Sequence, residues 1–119
     1  EVCTEENSIT GELAGAYPPI PGLTTYRRSA SVSEQGITPR DETDYPGTVE
    51  LTLLTEQKPS PAADGFAVGA LGGIRFDTEK AAAKVTPVPI TDPRLRTAWP
   101  ETIYKITLHF QKMLSLELY

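Results

Sequence analysis

Tyr104, Ile106, Leu108 and Phe110 alternate with Lys105, Thr107, His109 and Gln111, and after Lys112 the same parity resumes with Leu114, Leu116 and Leu118. A period of two over Thr102–Tyr119 is the pattern of a strand with one apolar and one polar face. The stretch contains neither Gly nor Pro, which together make up a fifth of the residues before it, so the chain has to be organised around this strand. Its eighteen residues exceed the ordinary strand length, and a bulge or bend is expected near Lys112. Such a strand has to be paired, inside its own sheet or with another chain.

Shorter signals place the rest of a sheet. Val49, Leu51 and Leu53 alternate with Glu50 and Thr52, which predicts a half-buried strand over Val49–Thr55. Lys58 to Gly65 is a turn-rich connection closed by Asp64-Gly65, a pair that favours tight reversal. Phe66–Leu71 and Ile74–Phe76 read as a strand pair or one bent strand around Gly72-Gly73, with Gly69 marking a bulge or a close approach. Asp77 is placed to cap a short helix over Thr78–Lys84, whose Ala, Glu and Lys content suits it. Val85 to Pro100 is expected as an extended connection, with Leu95, Ala98 and Trp99 packing on the sheet. The fold class that follows is mainly β: a small antiparallel sandwich or rolled sheet with one short helix and an irregular N-terminal arm.

The arm is residues 1–47 and the β-rich body residues 48–119. In Tyr17-Pro18-Pro19-Ile20-Pro21-Gly22 each proline fixes its own φ and pushes the preceding residue towards extended backbone. Thr24–Val32 is expected as one short strand and Gly36–Gly47 as a polar loop. A segment this irregular is ordered when its own core or a neighbouring molecule holds it, which points to assembly. Tyr17, Pro18, Ile20 and Tyr26 in the arm, with His109 and Tyr119 on the terminal strand, are the candidate interface residues.

The chemistry of catalysis is not written in the chain. His109 is the only histidine and Cys3 the only cysteine. Cys3, beside the acidic Glu5 and Glu6, lacks the basic or helix-dipole setting that a nucleophilic thiol needs. Cys3 reads as a free thiol in the terminus, a covalent link to a partner chain, or a cysteine beside a former lipoprotein cleavage site. No Gly-x-Ser-x-Gly elbow accompanies His109. Gly69–Gly73 lacks the Lys-Ser/Thr end of a phosphate loop. Arg27-Arg28 is read as a surface pair, with an anion contact as the alternative. Asp41-Glu42-Thr43-Asp44 offers oxygen ligands without the alternate positions and central Gly of a Ca²⁺ loop. It reads as a solvated acidic turn, and whether Asp41, Glu42 and Asp44 hold a cation is left open. No cofactor and no metal are expected.

A net charge of −5 over 119 residues argues against nucleic acid and anionic membrane surfaces as partners. The charge is uneven: residues 1–56 carry ten acids and three bases, while residues 57–119 carry six acids and eight bases. Such asymmetry favours head-to-tail packing of identical subunits, the alternative being a solvated acidic segment beside a near-neutral core. No apolar stretch reaches membrane-spanning length. A first residue other than Met gives the expectation of a processed or trimmed product.

Asp64-Gly65-Phe66-Ala67-Val68-Gly69-Ala70-Leu71 resembles a run found in phage head-decoration proteins, small β-rich subunits with an irregular N-terminal arm. The run covers under a tenth of the chain, and the later Trp99-Pro100-Glu101 is similar in kind. That resemblance implies a capsid-stabilising, often trimeric subunit. Gly47-Thr48-Val49 opening a strand, a short helix, and Trp99 before a terminal strand are similar to the periplasmic C-terminal domain of TonB-type energy transducers. This second resemblance implies an α+β unit that receives a peptide at a sheet edge. The expectation drawn from the whole chain is a non-catalytic assembly subunit in an extracytoplasmic setting (secreted, periplasmic or virion surface). Its partners are other copies or another protein, held by the arm and a sheet edge, with an intermolecular disulfide through Cys3 as one possible link. The alternative is a periplasmic or secreted module that recognises a peptide by strand addition; a small non-catalytic subunit of a multi-chain enzyme and a self-contained enzyme rank below both.

Overall fold

The computed structural model describes residues 2–70 and 72–119. Eleven antiparallel strands form a mainly β architecture of two sheets, and the described residues outside them make only isolated 3₁₀ turns. In chain order the strands are β1 Val2–Glu5, β2 Ser8–Glu12, β3 Tyr26–Ser33, β4 Gly36–Thr43, β5 Thr48–Thr55 and β6 Pro59–Ala62. They continue with β7 Gly65–Val68, β8 Gly72–Phe76, β9 Ala81–Pro89, β10 Thr102–Gln111 and β11 Met113–Leu118. The larger sheet runs β1-β2-β3-β4-β11-β8-β7-β6 and the smaller runs β5-β10-β9.

The terminal apolar run links the two sheets. Lys112 takes φ of +65° between β10 and β11, the bend expected there, and it sends the chain from the centre of one sheet into the centre of the other. Apolar parity survives the bend, so Ile106, Leu108 and Phe110 on one side and Leu114 and Leu116 on the other all enter one core. Ile74, Phe76 and Ala81 complete the buried cluster, with Val49, Leu51, Leu53, Phe66 and Val85 packed against it. Burying a Leu, Ile or Phe side chain contributes about 1.5–3 kcal/mol each, so this cluster is the principal cohesive element of the two sheets.

Three segments differ from the expectation. Gly36–Thr43 is not a polar loop but β4, paired to β3 through a two-residue Glu34-Gln35 turn and to β11 on its other side. Its sequence hides the strand because only Ile37 is a strongly apolar residue on its core-facing side. The proposed helix over Thr78–Lys84 stops after one turn. Asp77 accepts from the Glu79 amide at 3.0 Å and its carbonyl from Lys80 and Ala81 at 3.1 Å, and β9 then begins at Ala81. Alanine favours a helix locally, but Ala81 and Ala83 lie opposite Phe110 and Leu108, where a small residue and a paired backbone win over propensity. The short helix implied by the likeness to the α+β energy-transducer domain is therefore absent. Third, Leu95, Ala98 and Trp99 do not pack on the sheet; all three are exposed.

The segment read as an irregular arm is tied down by strand pairing. Residues 2–43 supply β1 to β4, in register from Val2 opposite Gly11 through Arg28 to Asp41 and Leu114. The Tyr17–Gly22 stretch stays irregular, as its prolines require. Phe66 onwards forms a strand pair, with Gly69 at φ +66° in the turn; Leu71, expected to end the first of these strands, lies outside the described residues. Gly36 and Gly65 occupy equivalent places just after two hairpin turns, where a Cβ would lie 2.0 Å from the Leu118 carbonyl oxygen and 1.9 Å from that of Ile74. With φ of +143° and +153°, neither position accommodates a side chain.

Candidate functional site

The sheets are unequal, and the inequality defines the candidate site. Alternation places Val2, Ile9, Ala30, Val32, Ile37 and Pro39 on the same side of the large sheet as the core residues Leu114, Leu116 and Ile74. The opposite side of β1 to β4 carries Cys3, Ser8, Thr10, Arg27, Ser29, Ser31, Arg40 and Glu42. The small sheet covers only the β11–β8 end. Burial on the apolar side accordingly falls from 2% exposure at Leu116 to 43% at Ile37, 58% at Val32, 49% at Ile9 and 65% at Val2. A face patterned as core is left open to solvent.

The strand bordering this opening is β5. It pairs with β10 on one side and, among the described residues, with no strand on the other. Other free edges are blunted: β6 contains Pro59 and Pro61, β9 contains Lys84, Pro87 and Pro89, and β1 has four residues. β5 has eight residues, no proline and a single charge, Glu50, and its outward Leu54 is 63% exposed. One cleft lies at each end. The first, about 300 Å³, is lined by Tyr17, Ile20, Leu23, Tyr26, Arg28 and Tyr45 together with Thr48, Val49 and Glu50. The second, about 340 Å³, is lined by Leu53, Leu54, Thr55, Val68, Leu118 and Tyr119 among others.

A charged network forms the floor of the first cleft. Arg28 donates from Nε and Nη2 to the two oxygens of buried Asp41, 2.8 Å each, in a bidentate pair. The Tyr26 hydroxyl donates to Asp41 Oδ2 at 2.5 Å. Burial, with the Asp41 acceptor and charge behind it, pushes the Tyr26 phenol far above its ordinary value. Hydrogen bonding to Asp41 raises Arg28 further. No buried side-chain polar atom among the described residues lacks a partner.

Two carboxylates, half-buried Glu12 and exposed Asp44, fasten the loop that forms the cleft wall. Glu12 Oε1 accepts from the amides of Tyr26 at 2.7 Å and Ala14 at 3.0 Å; Asp44 Oδ1 accepts from those of Thr24 and Thr25, both at 2.9 Å. These amide donors lower the pKa of both acids. Residues 13–25 are thus clamped at both ends, and Tyr17 is set against Tyr26 with ring centroids 6.4 Å apart.

Of the interface residues expected from sequence, Tyr17, Ile20 and Tyr26 converge on the first cleft, although Tyr26 is buried as part of its floor. Pro18 is exposed on the same loop. His109 lies on the exposed side of β10, its Nε2 3.4 Å from Oε2 of Glu50. Tyr119 is at the second cleft, under the Arg75 guanidinium at 4.0 Å from the ring centroid. Leu23, Tyr45, Arg28 and Glu50 were not singled out for this role. A two-residue turn at Glu34-Gln35 is the signal that would have placed Arg28 opposite Asp41.

The acidic triplet does not act as a unit. Asp41 is bound to Arg28 and Tyr26, Glu42 on the other side of β4 meets Arg40, and Asp44 serves the loop amides. Among the described residues no three His, Cys, Asp or Glu side chains come together as a metal site. Cys3 is exposed on β1 as a free thiol. Among the described residues no helix is long and apolar enough to cross a membrane. Comparison with protein-family models and with curated proteins finds no match to this chain.

Proposed function

We propose that this chain is a non-catalytic assembly subunit, of an extracellular or virion structure, whose copies join through the open side of the sandwich. The observation that carries the reading is the unblunted edge of β5 beside a sheet face patterned as core yet exposed at Val2, Ile9, Val32 and Ile37. Such an edge offers main-chain hydrogen bonds, and an apolar face beside it rewards whatever strand is added there. Cys3, exposed on β1, is available to a covalent link between chains.

The test is the solution mass of the full chain against a Val32→Lys/Ile37→Lys variant. Both positions are already exposed, and because they lie opposite each other a circular-dichroism spectrum matching that of the wild type is required of the variant. The reading expects an oligomer whose mass falls in the variant; a wild-type chain that stays monomeric at all concentrations overturns it. A second reading is favoured by the clefts at both ends of β5, which suit side chains of an added peptide strand. In that case the chain is a monomeric secreted or periplasmic module, and an extended peptide with alternating apolar residues protects the β5 amides from exchange.

A further inference from the structure

The first cleft lies at one end of the small sheet, and at the other end stands a knob for which nothing so far gives a use. β10 begins at Thr102, next to the loop 90–101, and ends at Gln111, opposite Thr48 of β5. Nine residue steps at about 3.3 Å place these ends on the order of 30 Å apart. The knob is built, not loose. Asp92 accepts from the Arg94 and Arg96 amides at 2.8 and 3.0 Å, Trp99 N donates to the Leu95 carbonyl at 2.8 Å, and Arg96 Nη1 donates to the Trp99 carbonyl at 3.1 Å. Ile90 N bonds Glu101 O at 2.8 Å and closes the base. This rigid loop holds Leu95 46% and Trp99 48% exposed, flanked by the exposed Arg94 and Arg96. Trp and Arg are the side chains that most often anchor protein interfaces, and a preformed loop loses little entropy on docking.

The cleft has the complementary character. Its walls are the Tyr17 and Tyr45 rings with Ile20 and Leu23, and its charged lining residues are Arg28 and Glu50. Arg28 is already neutralised by Asp41, which leaves Glu50, beside the imidazole of His109, as the uncompensated charge. An aromatic and aliphatic pocket with a carboxylate at its rim suits an apolar side chain accompanied by a guanidinium. The loop is fastened at its base and some 30 Å away along β10, so it does not reach the cleft of its own chain.

We propose that the knob of Leu95, Trp99 and Arg96 docks into the Tyr17–Tyr45 cleft of a second copy, with its arginines facing Glu50. Knob and cleft are different surfaces at opposite ends of one sheet, so the contact is heterologous and repeats head to tail, giving a ring or a filament. The acidic first half of the chain then meets the basic second half of the next. The inference rests on the assembly reading above and adds to its open-face contact a second one, between knob and cleft.

Trp99 is the only tryptophan, so its emission reports the contact directly. Emission and iodide quenching are measured against concentration together with solution mass, for the wild type, Glu50→Lys and Arg94→Glu/Arg96→Glu, singly and mixed. All three substituted positions are exposed. Wild-type association is expected to shift Trp99 emission to shorter wavelength and shield it from iodide. Each variant alone loses at least about tenfold in affinity, as the loss of an anchoring charge contact implies. Neither variant matches itself, but the mixture recovers association, because the intact knob meets the intact cleft and the charge-reversed knob meets the charge-reversed cleft. If the wild type oligomerises while both variants do the same, or the mixture gains nothing, this contact is wrong and the assembly reading stands. If the wild type is monomeric throughout, both fall.

Discussion

Asp41 is the residue on which the cleft floor depends. It is 3% exposed and keeps its two oxygens occupied by Arg28 and Tyr26. Removing one partner of a buried pair ordinarily costs about 3–5 kcal/mol, and because the Arg28 side chain is 45% exposed we expect Arg28→Ala to cost about 2–3 kcal/mol in urea unfolding. Tyr26→Phe removes one hydrogen bond to a charged acceptor and should cost about 1.5–3 kcal/mol. The direction of the Tyr26 shift also sets a pH limit. A phenol whose folded pKa is raised contributes stability that is complete below its unfolded value, about 10, and is lost as pH rises beyond it. The urea midpoint should therefore begin to fall above about pH 10, and that fall should shrink in Tyr26→Phe; an unchanged alkaline profile would remove the linkage. Glu12 and Asp44 act at the opposite limit. Their depressed values mean a contribution present above their unfolded pKa, about 4, and lost as pH falls through the lower folded values. The expected sign is a loss of protection, relative to the intrinsic exchange rate, at the Ala14, Thr24, Thr25 and Tyr26 amides below about pH 4, before any global unfolding.

At the scale of elements, Lys112 is the hinge on which both sheets depend. An L-residue in the left-handed region costs on the order of 1–2 kcal/mol, and at Lys112 the gain is a turn that carries one apolar register into two sheets. Lys112→Gly is expected to stabilise by about 0.5–1 kcal/mol, offset by loss of the Nζ bond to the Asp44 carbonyl. Lys112→Val should destabilise by more than 1–2 kcal/mol, about the strain of a β-branched residue at positive φ; thermal unfolding decides both signs. The bend was legible because eighteen alternating residues are too many for one strand, and β5 because Val49, Leu51 and Leu53 alternate cleanly. β4 and β9 were not legible. Ile37, Pro39, Asp41 and Thr43 do not read as an apolar face, and Ala81–Lys84 reads as helix until Leu108 and Phe110 are set beside it. In both cases the strand exists because a neighbour supplies its hydrogen bonds and half of its packing.

Across the whole molecule, an eight-stranded sheet is faced by three strands, and the mismatch leaves an apolar face, a free edge and a knob all exposed in one chain. The radius of gyration, 15.8 Å, exceeds the roughly 13–14 Å of a compact domain this long, as an uncovered sheet requires. Of the residues lining the first cleft, Tyr17 and Ile20 were among those expected from the sequence, because an irregular arm has to be held by a core or a neighbour, while Glu50 and Tyr45 joined them through folding alone. The sequence by itself determined what is local and periodic: the β class, the bend at Lys112, the irregular Tyr17–Gly22 segment and the opposed charge of the two halves. Only the tertiary structure decided which strands are neighbours, that β1 to β4 continue the core face without cover, and that cleft and knob stand at opposite ends of β10. The physical reason is that alternation fixes which side of a strand is apolar, whereas what covers that side depends on partners as remote in the chain as Leu118 is from Ile37.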